Sequence, residues 1–134
     1  MQLALVLIYF ENGIGKLTTT GWRWTAPETL QGWYFDHLWL DTHYFELGRF
    51  LVDYPELARV SAIGTLILEI GAILMVFVDS SKWVLVPSLG MMHLLIGLTL
   101  NIWFTEYFFL LLLFFDWELA WERSRLWARR GPRS

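Results

Sequence analysis

The strongest constraint in this sequence is a pair of long apolar runs. Residues 57–78, "LARVSAIGTLILEIGAILMVFV", carry Arg59 near the start and one central charge, Glu69, and residues 83–115 carry only Glu106. A helix needs about 20 mostly apolar residues to cross a bilayer, so the first run fits one crossing, whereas the second is too long for one. Dividing it near "NIWFTEY" gives two. The opening run "LALVLIYF", Leu3 to Phe10, extends to Leu17 only by accepting Glu11, Asn12 and Lys16. The expectation is an all-α integral membrane protein with about four membrane segments, near 2–17, 57–78, 84–104 and 105–122, forming a single helical membrane domain over 1–134. Composition agrees: 56% of residues are hydrophobic, above the 45–50% usual for soluble domains, and only 17% are charged.

Charge distribution sets an orientation. Up to Asp116 there are five Lys or Arg against eleven Asp or Glu, and from Trp117 onward five Arg against two Glu. The tail "WERSRLWARRGPRS" is therefore the positive end, which the positive-inside rule places in the cytoplasm. With four crossings, both termini are expected to be cytoplasmic and Thr18 to Glu56 to lie outside. Within that segment Pro27 is a helix start, Leu30, Trp33, Tyr34, Leu38 and Trp39 form a helical stripe, and Gly48 and Pro55 are breaks. One or two amphipathic helices over 27–54, rich in Trp and Tyr, are expected at the outer interface. The opening residues lack the basic start and small-residue cleavage site of a signal peptide, so the first segment is read as retained. The expected partners are membrane lipids and other membrane subunits. The basic tail suits anionic lipid better than nucleic acid, because the membrane segments already deliver it there.

Ionisable groups inside an apolar span are costly, so each one raises a functional question. Three qualify: Lys16, Glu69 and His93. Lys16 at a helix end either snorkels to the headgroups or, desolvated, serves as a base; Gly13 and Gly15 favour the second by letting the helix break and turn the side chain inward. Glu69, on one face with Thr65 and Ala72, reads first as a buried carboxyl bonded to a neighbouring helix. His93 shares a face with Gly90, Gly97 and, slightly rotated, Asn101. It is a packed hydrogen-bonder first, then a haem or pigment ligand or a proton carrier. Asp36, His37, Asp41 and His43 cluster in "DHLWLDTH", but on a helix His43 points away from His37 and Asp41, a poor ligand geometry. There is no cysteine. Phosphate-cradling loops, nucleophile elbows and paired-histidine zinc motifs are also missing from the sequence.

The order "GIGKL", "GW", an aromatic segment, a glycine-bearing span and then "MMHLLIGLTLNIWF" resembles the vitamin K-dependent gamma-carboxylase family. It resembles more closely that family's bacterial relatives with a horizontally transferred transmembrane domain, over about Leu3 to Trp117. The resemblance implies that Lys16 corresponds to the family's proposed base, which deprotonates a quinol, and that His93 is the histidine of the later span. Two functions follow. The first is a non-catalytic accessory subunit packed against a larger membrane assembly, for which a quinone-using photosynthetic or respiratory complex is one natural host, because nine tryptophans and small-residue helix faces are surfaces that want partners. The second is a minimal carboxylase-like enzyme with Lys16 as base and Glu69 or His93 in support. No resident cofactor is expected; a quinone belongs to the second reading alone.

Overall fold

The computed structural model describes residues 2–38 and 46–114. Every regular element among them is helical. Helix α1, Gln2–Thr20, buries Leu5, Val6, Tyr9 and Gly13, a face spaced by three or four residues as helical geometry requires. It runs unbroken through Gly13 and Gly15, so the expected break there is corrected to Gly21. At a φ of +63°, Gly21 takes the left-handed conformation that glycine adopts without steric cost. A 3₁₀ turn, Gly21–Thr25, leads to extended Ala26 and to α2, Pro27–Leu38, with proline in the first turn where its missing N–H is harmless.

The chain re-enters the described region with a 3₁₀ turn, Glu46–Gly48, and short α3, Arg49–Asp53. Pro55 opens α4, Pro55–Gly71, which loosens at Ala72 and Ile73 and resumes as α5, Leu74–Phe77. The turn Asp79–Ser81 feeds α6, Lys82–Leu100. That helix stops at Asn101, in the left-handed region with φ 56°, where asparagine is among the few non-glycine residues at home. After it come α7, Thr105–Leu111, and a 3₁₀ turn, Leu112–Phe114.

Two apolar clusters hold these helices together. One joins Leu5, Val6 and Tyr9 of α1 to Met75, Val86, Leu89, Met92 and Leu111. The other joins Leu30, Tyr34 and Leu51 to Ala58, Ala62 and Leu100. Helices α4 and α6 contribute to both ends of the fold, with α1 packed along one part of α4 and α2 along another. At Gly48 a Cβ would overlap the Thr99 carbonyl oxygen and the Tyr34 ring, so only glycine lets the start of α3 tuck beneath the end of α6.

Among the described residues two stretches, not four, are long and apolar enough to cross a membrane: Pro55–Phe77, of 23 residues, and Asp79–Leu100, of 22. Only 28% and 33% of their apolar windows are buried. Much of the remainder faces outward, including Ile67, Phe77 and Val84. The first expected segment is a 19-residue helix of sufficient length, but Glu11, Asn12 and Lys16 dilute its hydrophobicity. The fourth is seen only as the short apolar helix Thr105–Phe114; its remainder, with Trp117 and the basic tail, lies outside the described residues. The described residues of 27–54 form short helices that expose Trp33, Phe35, Phe50 and Tyr54, and Trp22 is exposed in the turn before them; Trp39 and Tyr44 lie outside the described residues.

Candidate functional site

The site begins with a glycine. A Cβ on Gly13 would sit 2.8 Å from Ile70 Cγ1 and 3.1 Å from Glu69 Cβ, so α1 and α4 meet more closely there than any side chain would allow. One turn further along α1, Lys16 stands opposite Glu69. Its ammonium donates to both carboxylate oxygens, at 2.5 Å to Oε1 and 2.7 Å to Oε2. The Glu69 side chain is 8% exposed and that of Lys16 25%. Such short charge-assisted bonds, with water largely excluded, hold the two charges as one neutral unit. The Trp24 ring lies over the ammonium, 4.5 Å from nitrogen to centroid, adding a cation–π contact from the 3₁₀ turn.

A second polar pair sits nearer the start of α1. Tyr9 lies two turns before Lys16, on the same helical face, and its hydroxyl is 2.8 Å from His93 Nε2 in α6. Around the imidazole stand three rings. Tyr107 stacks on it at 5.6 Å between centroids, Phe104 meets it edge-on at 5.3 Å, and Tyr9 lies tilted at 5.6 Å. The Asn101 turn brings Phe104 and Tyr107 back against α6, helped by the Trp103 ring, which packs so closely on Gly97 that a Cβ there would sit 2.8 Å from it. His93 Nδ1 is left buried without a hydrogen-bond partner among the described residues. Buried polar atoms are normally satisfied, so an orphan of this kind calls for an explanation.

Lys16, Glu69 and His93 all line one cavity of about 830 Å³, together with Tyr9, Asn12, Trp24, Phe104 and Tyr107. Most of the remaining wall is aliphatic, from residues such as Leu30, Leu57, Leu68, Met92 and Ile96. Three residues separated by up to 77 positions thus converge on one space. The structure decides two questions the sequence left open: Lys16 points inward to a partner, and Glu69 bonds across helices. On the His93 face, the group that packs on Gly97 is an aromatic ring, that of Trp103.

Tyr9, Trp24, Phe104 and Tyr107 went unremarked as site residues in the sequence. For Tyr9 the signal was present: Tyr9, Gly13 and Lys16 follow i, i+4, i+7, one face of a helix. Trp24, Phe104 and Tyr107 reach the site through turns, for which helical periodicity gives no clue. In the "DHLWLDTH" cluster, His37 Nδ1 is 2.7 Å from the Trp33 carbonyl oxygen and its ring stacks on Trp33. Asp41 and His43 lie outside the described residues, and among the described residues no acidic and histidine side chains group as metal ligands.

What this arrangement can do is hold a largely apolar molecule and meet it with one polar pair, Lys16–Glu69, that can exchange a proton. No family model, curated protein or solved structure matches the chain.

Proposed function

We propose that this chain is a helical membrane protein whose cavity binds a lipid-soluble aromatic alcohol, of the quinol or phenol class, and that the Lys16–Glu69 pair accepts its hydroxyl proton. The observation that carries this reading is the pair itself, placed in the wall of a cavity of about 830 Å³ that is otherwise mostly apolar and aromatic, with Asn12 and a few serine and threonine side chains besides. Ligand sites usually combine an apolar wall of this size with a few convergent polar groups. A structural ion pair alone would not need such a space beside it.

The proton balance follows from the pairing. Lys16 as ammonium cannot accept a proton, so it first passes one to the Glu69 carboxylate. The free amine then takes the ligand's hydroxyl proton. One O–H bond of the ligand is broken, one forms on Glu69, and Lys16 is again an ammonium, now facing the aryl oxide. Lys16 is thus the contacting base, as the resemblance to the carboxylases implies, and Glu69 is where the proton comes to rest. The Trp24 ring, lying over the Lys16 nitrogen, favours the ammonium with which the step begins and ends.

The test uses the full chain in lipid nanodiscs and calorimetric titration with 2,3-dimethyl-1-naphthol. Saturable binding is expected, weakened roughly ten- to hundred-fold by Lys16→Met or Glu69→Gln, the loss that accompanies one charge-assisted hydrogen bond. Heat no greater than partition into empty nanodiscs would end this reading.

The accessory-subunit reading keeps one observation in its favour: both long helices turn much of their apolar surface outward, where a partner helix would serve as well as lipid. Gentle solubilisation that yields only the monomer would count against it.

A further inference from the structure

The cavity reaches the surface along the seam between the two membrane-length helices. On α4, Leu57, Ser61, Gly64 and Leu68 line it, a spacing that keeps to one stripe of the helix, and Ser88, Met91, Leu95 and Thr99 form the facing stripe on α6. Each stripe covers about 16 Å of helix axis. The helices close on each other at both ends of this stretch: Ala58 and Ala62 belong to one buried cluster with Leu100, and Ala72 and Met75 to the other with Val86 and Leu89. Between those closures lies Gly64, and nothing stands within 4 Å of where its Cβ would be. Leu57, Met91 and Leu95 are 47%, 56% and 52% exposed while also lining the cavity, so they form the rim of an opening. Three hydroxyls along the seam are satisfied within their own helices: Thr65 donates to the Ser61 carbonyl at 3.0 Å, and Ser88 and Thr99 donate to those of Val84 and Leu95, both at 2.7 Å. They hold out no unmet donor to an apolar molecule. The other exposed lining residues are Trp33 on α2 and Asn12 on α1, and Asn12 is the polar one, where water would enter.

Resting on the membrane reading above, we propose that the α4–α6 seam is a lateral window, through which an uncharged, lipid-soluble ligand passes between the bilayer and the Lys16–Glu69 pair without entering water. The helices on either side of the opening are the two long and apolar enough to cross, so the rim faces hydrocarbon. Such a route filters ligands by charge. A neutral alcohol dissolves in the lipid and reaches the rim, whereas a charged conjugate of the same ring is held back by the cost of carrying charge into hydrocarbon. The alcohol therefore arrives with its hydroxyl proton in place and gives it up only beside the pair. Gly64 sets the aperture, because a Cβ there displaces nothing and a larger side chain can stand in the opening.

The chain has no cysteine, so a single nitroxide can be attached to the full chain in nanodiscs. Leu68→Cys carries it on the cavity wall and Ile67→Cys on the outward surface. Collisions are measured with oxygen, which concentrates in lipid, and with a neutral nickel chelate, which stays in water. Oxygen is expected to dominate at both positions. Adding Gly64→Phe should remove most of the oxygen effect at position 68 and leave position 67 unchanged, which also shows that the fold is intact; Gly64→Ala should change neither. Gly64→Leu takes its place if the larger ring disturbs position 67. Without the label, Gly64→Phe should slow both association and dissociation of 2,3-dimethyl-1-naphthol roughly ten-fold, the factor produced by about 1.4 kcal/mol of added barrier, with equilibrium affinity nearly kept. The membrane-excluded 4-hydroxynaphthalene-1-sulfonate should not bind. Nickel dominating at position 68 would put the entrance on the water side and overturn the window. So would an oxygen effect there, or naphthol rates, that Gly64→Phe leaves intact, and so would sulfonate binding as tight as that of the naphthol. If oxygen behaves as expected but the wild-type chain binds no naphthol, the proton-accepting function falls and the window stands.

Discussion

Removing the Lys16 amine strands a carboxylate, and the cost of that can be worked from the structure. Lys16→Met keeps the apolar stem but deletes both short bonds to Glu69, whose side chain is 8% exposed. Removing one partner of a buried pair typically costs about 3–5 kcal/mol. The stranded carboxylate has an escape, which is to take up a proton. From an ordinary glutamate near pH 4.3, that uptake costs about 1.4 kcal/mol for each pH unit above it, or roughly 3.7 kcal/mol at pH 7. The penalty at pH 7 should therefore be about 3–4 kcal/mol and should shrink to roughly 1 kcal/mol at pH 5. The sign follows from linkage: the folded variant holds a proton that its unfolded chain has released, so its stability falls as pH rises. Adding Glu69→Gln to the variant removes the stranded charge and should recover about 2–3 kcal/mol, a coupling energy readable from a double-mutant cycle. The assay is denaturant unfolding in a fixed detergent, followed by helical circular dichroism at both pH values. A penalty under about 1 kcal/mol, equal at pH 5 and pH 7, would refute the reasoning, since that is how a solvated surface pair behaves.

Three further expectations follow from particular contacts. Gly13→Leu should force α1 from α4 at Ile70, costing about 1–3 kcal/mol and separating Lys16 from Glu69, so that naphthol binding is lost as well. Gly15→Ala, at a helical glycine with nothing within 4 Å of its would-be Cβ, should instead stabilise by about 0.5–1 kcal/mol in the same unfolding assay. Tyr9→Phe leaves His93 Nε2 as well as Nδ1 without a partner and should cost about 1–3 kcal/mol, with the ring packing retained. Brominated lipid should quench a fluorophore placed at Ile67 more strongly than one at Ala62: Ile67 is 64% exposed and Ala62 fully buried, and equal quenching would count against α4 facing lipid.

Much of this was legible in the chain because the strongest signals were local. Pro27 and Pro55 mark helix starts, Asn101 falls near the expected division of the last apolar run, and helices lie where long uncharged stretches required them. The three costly ionisable residues are the ones that line the cavity. The number of membrane-length helices was less legible. Length alone brought the opening segment in, whereas Glu11 is exposed, Asn12 lines the cavity and Lys16 meets Glu69 of α4, so its second half is too polar to count as a span. Pairing was the other gap. Nothing in "GIGKL" says that Lys16 meets a glutamate 53 positions later, because that contact depends on how closely Gly13 lets two helices approach. The glycine was visible, but it reads equally as a hinge or as a contact, and only the packed fold tells these apart. The aromatic cage around His93 depends on the chain reversal at Asn101, a single left-handed residue that periodicity does not register.

The central claim is that a ring-bearing alcohol sits in the cavity against the Lys16–Glu69 pair. The most direct measurement is photolabelling of the full chain in nanodiscs with an azido-naphthol, followed by mass spectrometry of the modified peptides. The account predicts label on cavity residues such as Trp24, Met92 and Tyr107, competed away by excess unlabelled naphthol and lost in Lys16→Met. Label confined to outward-facing positions such as Val60, Ile67 and Phe77, and indifferent to competitor, would contradict it.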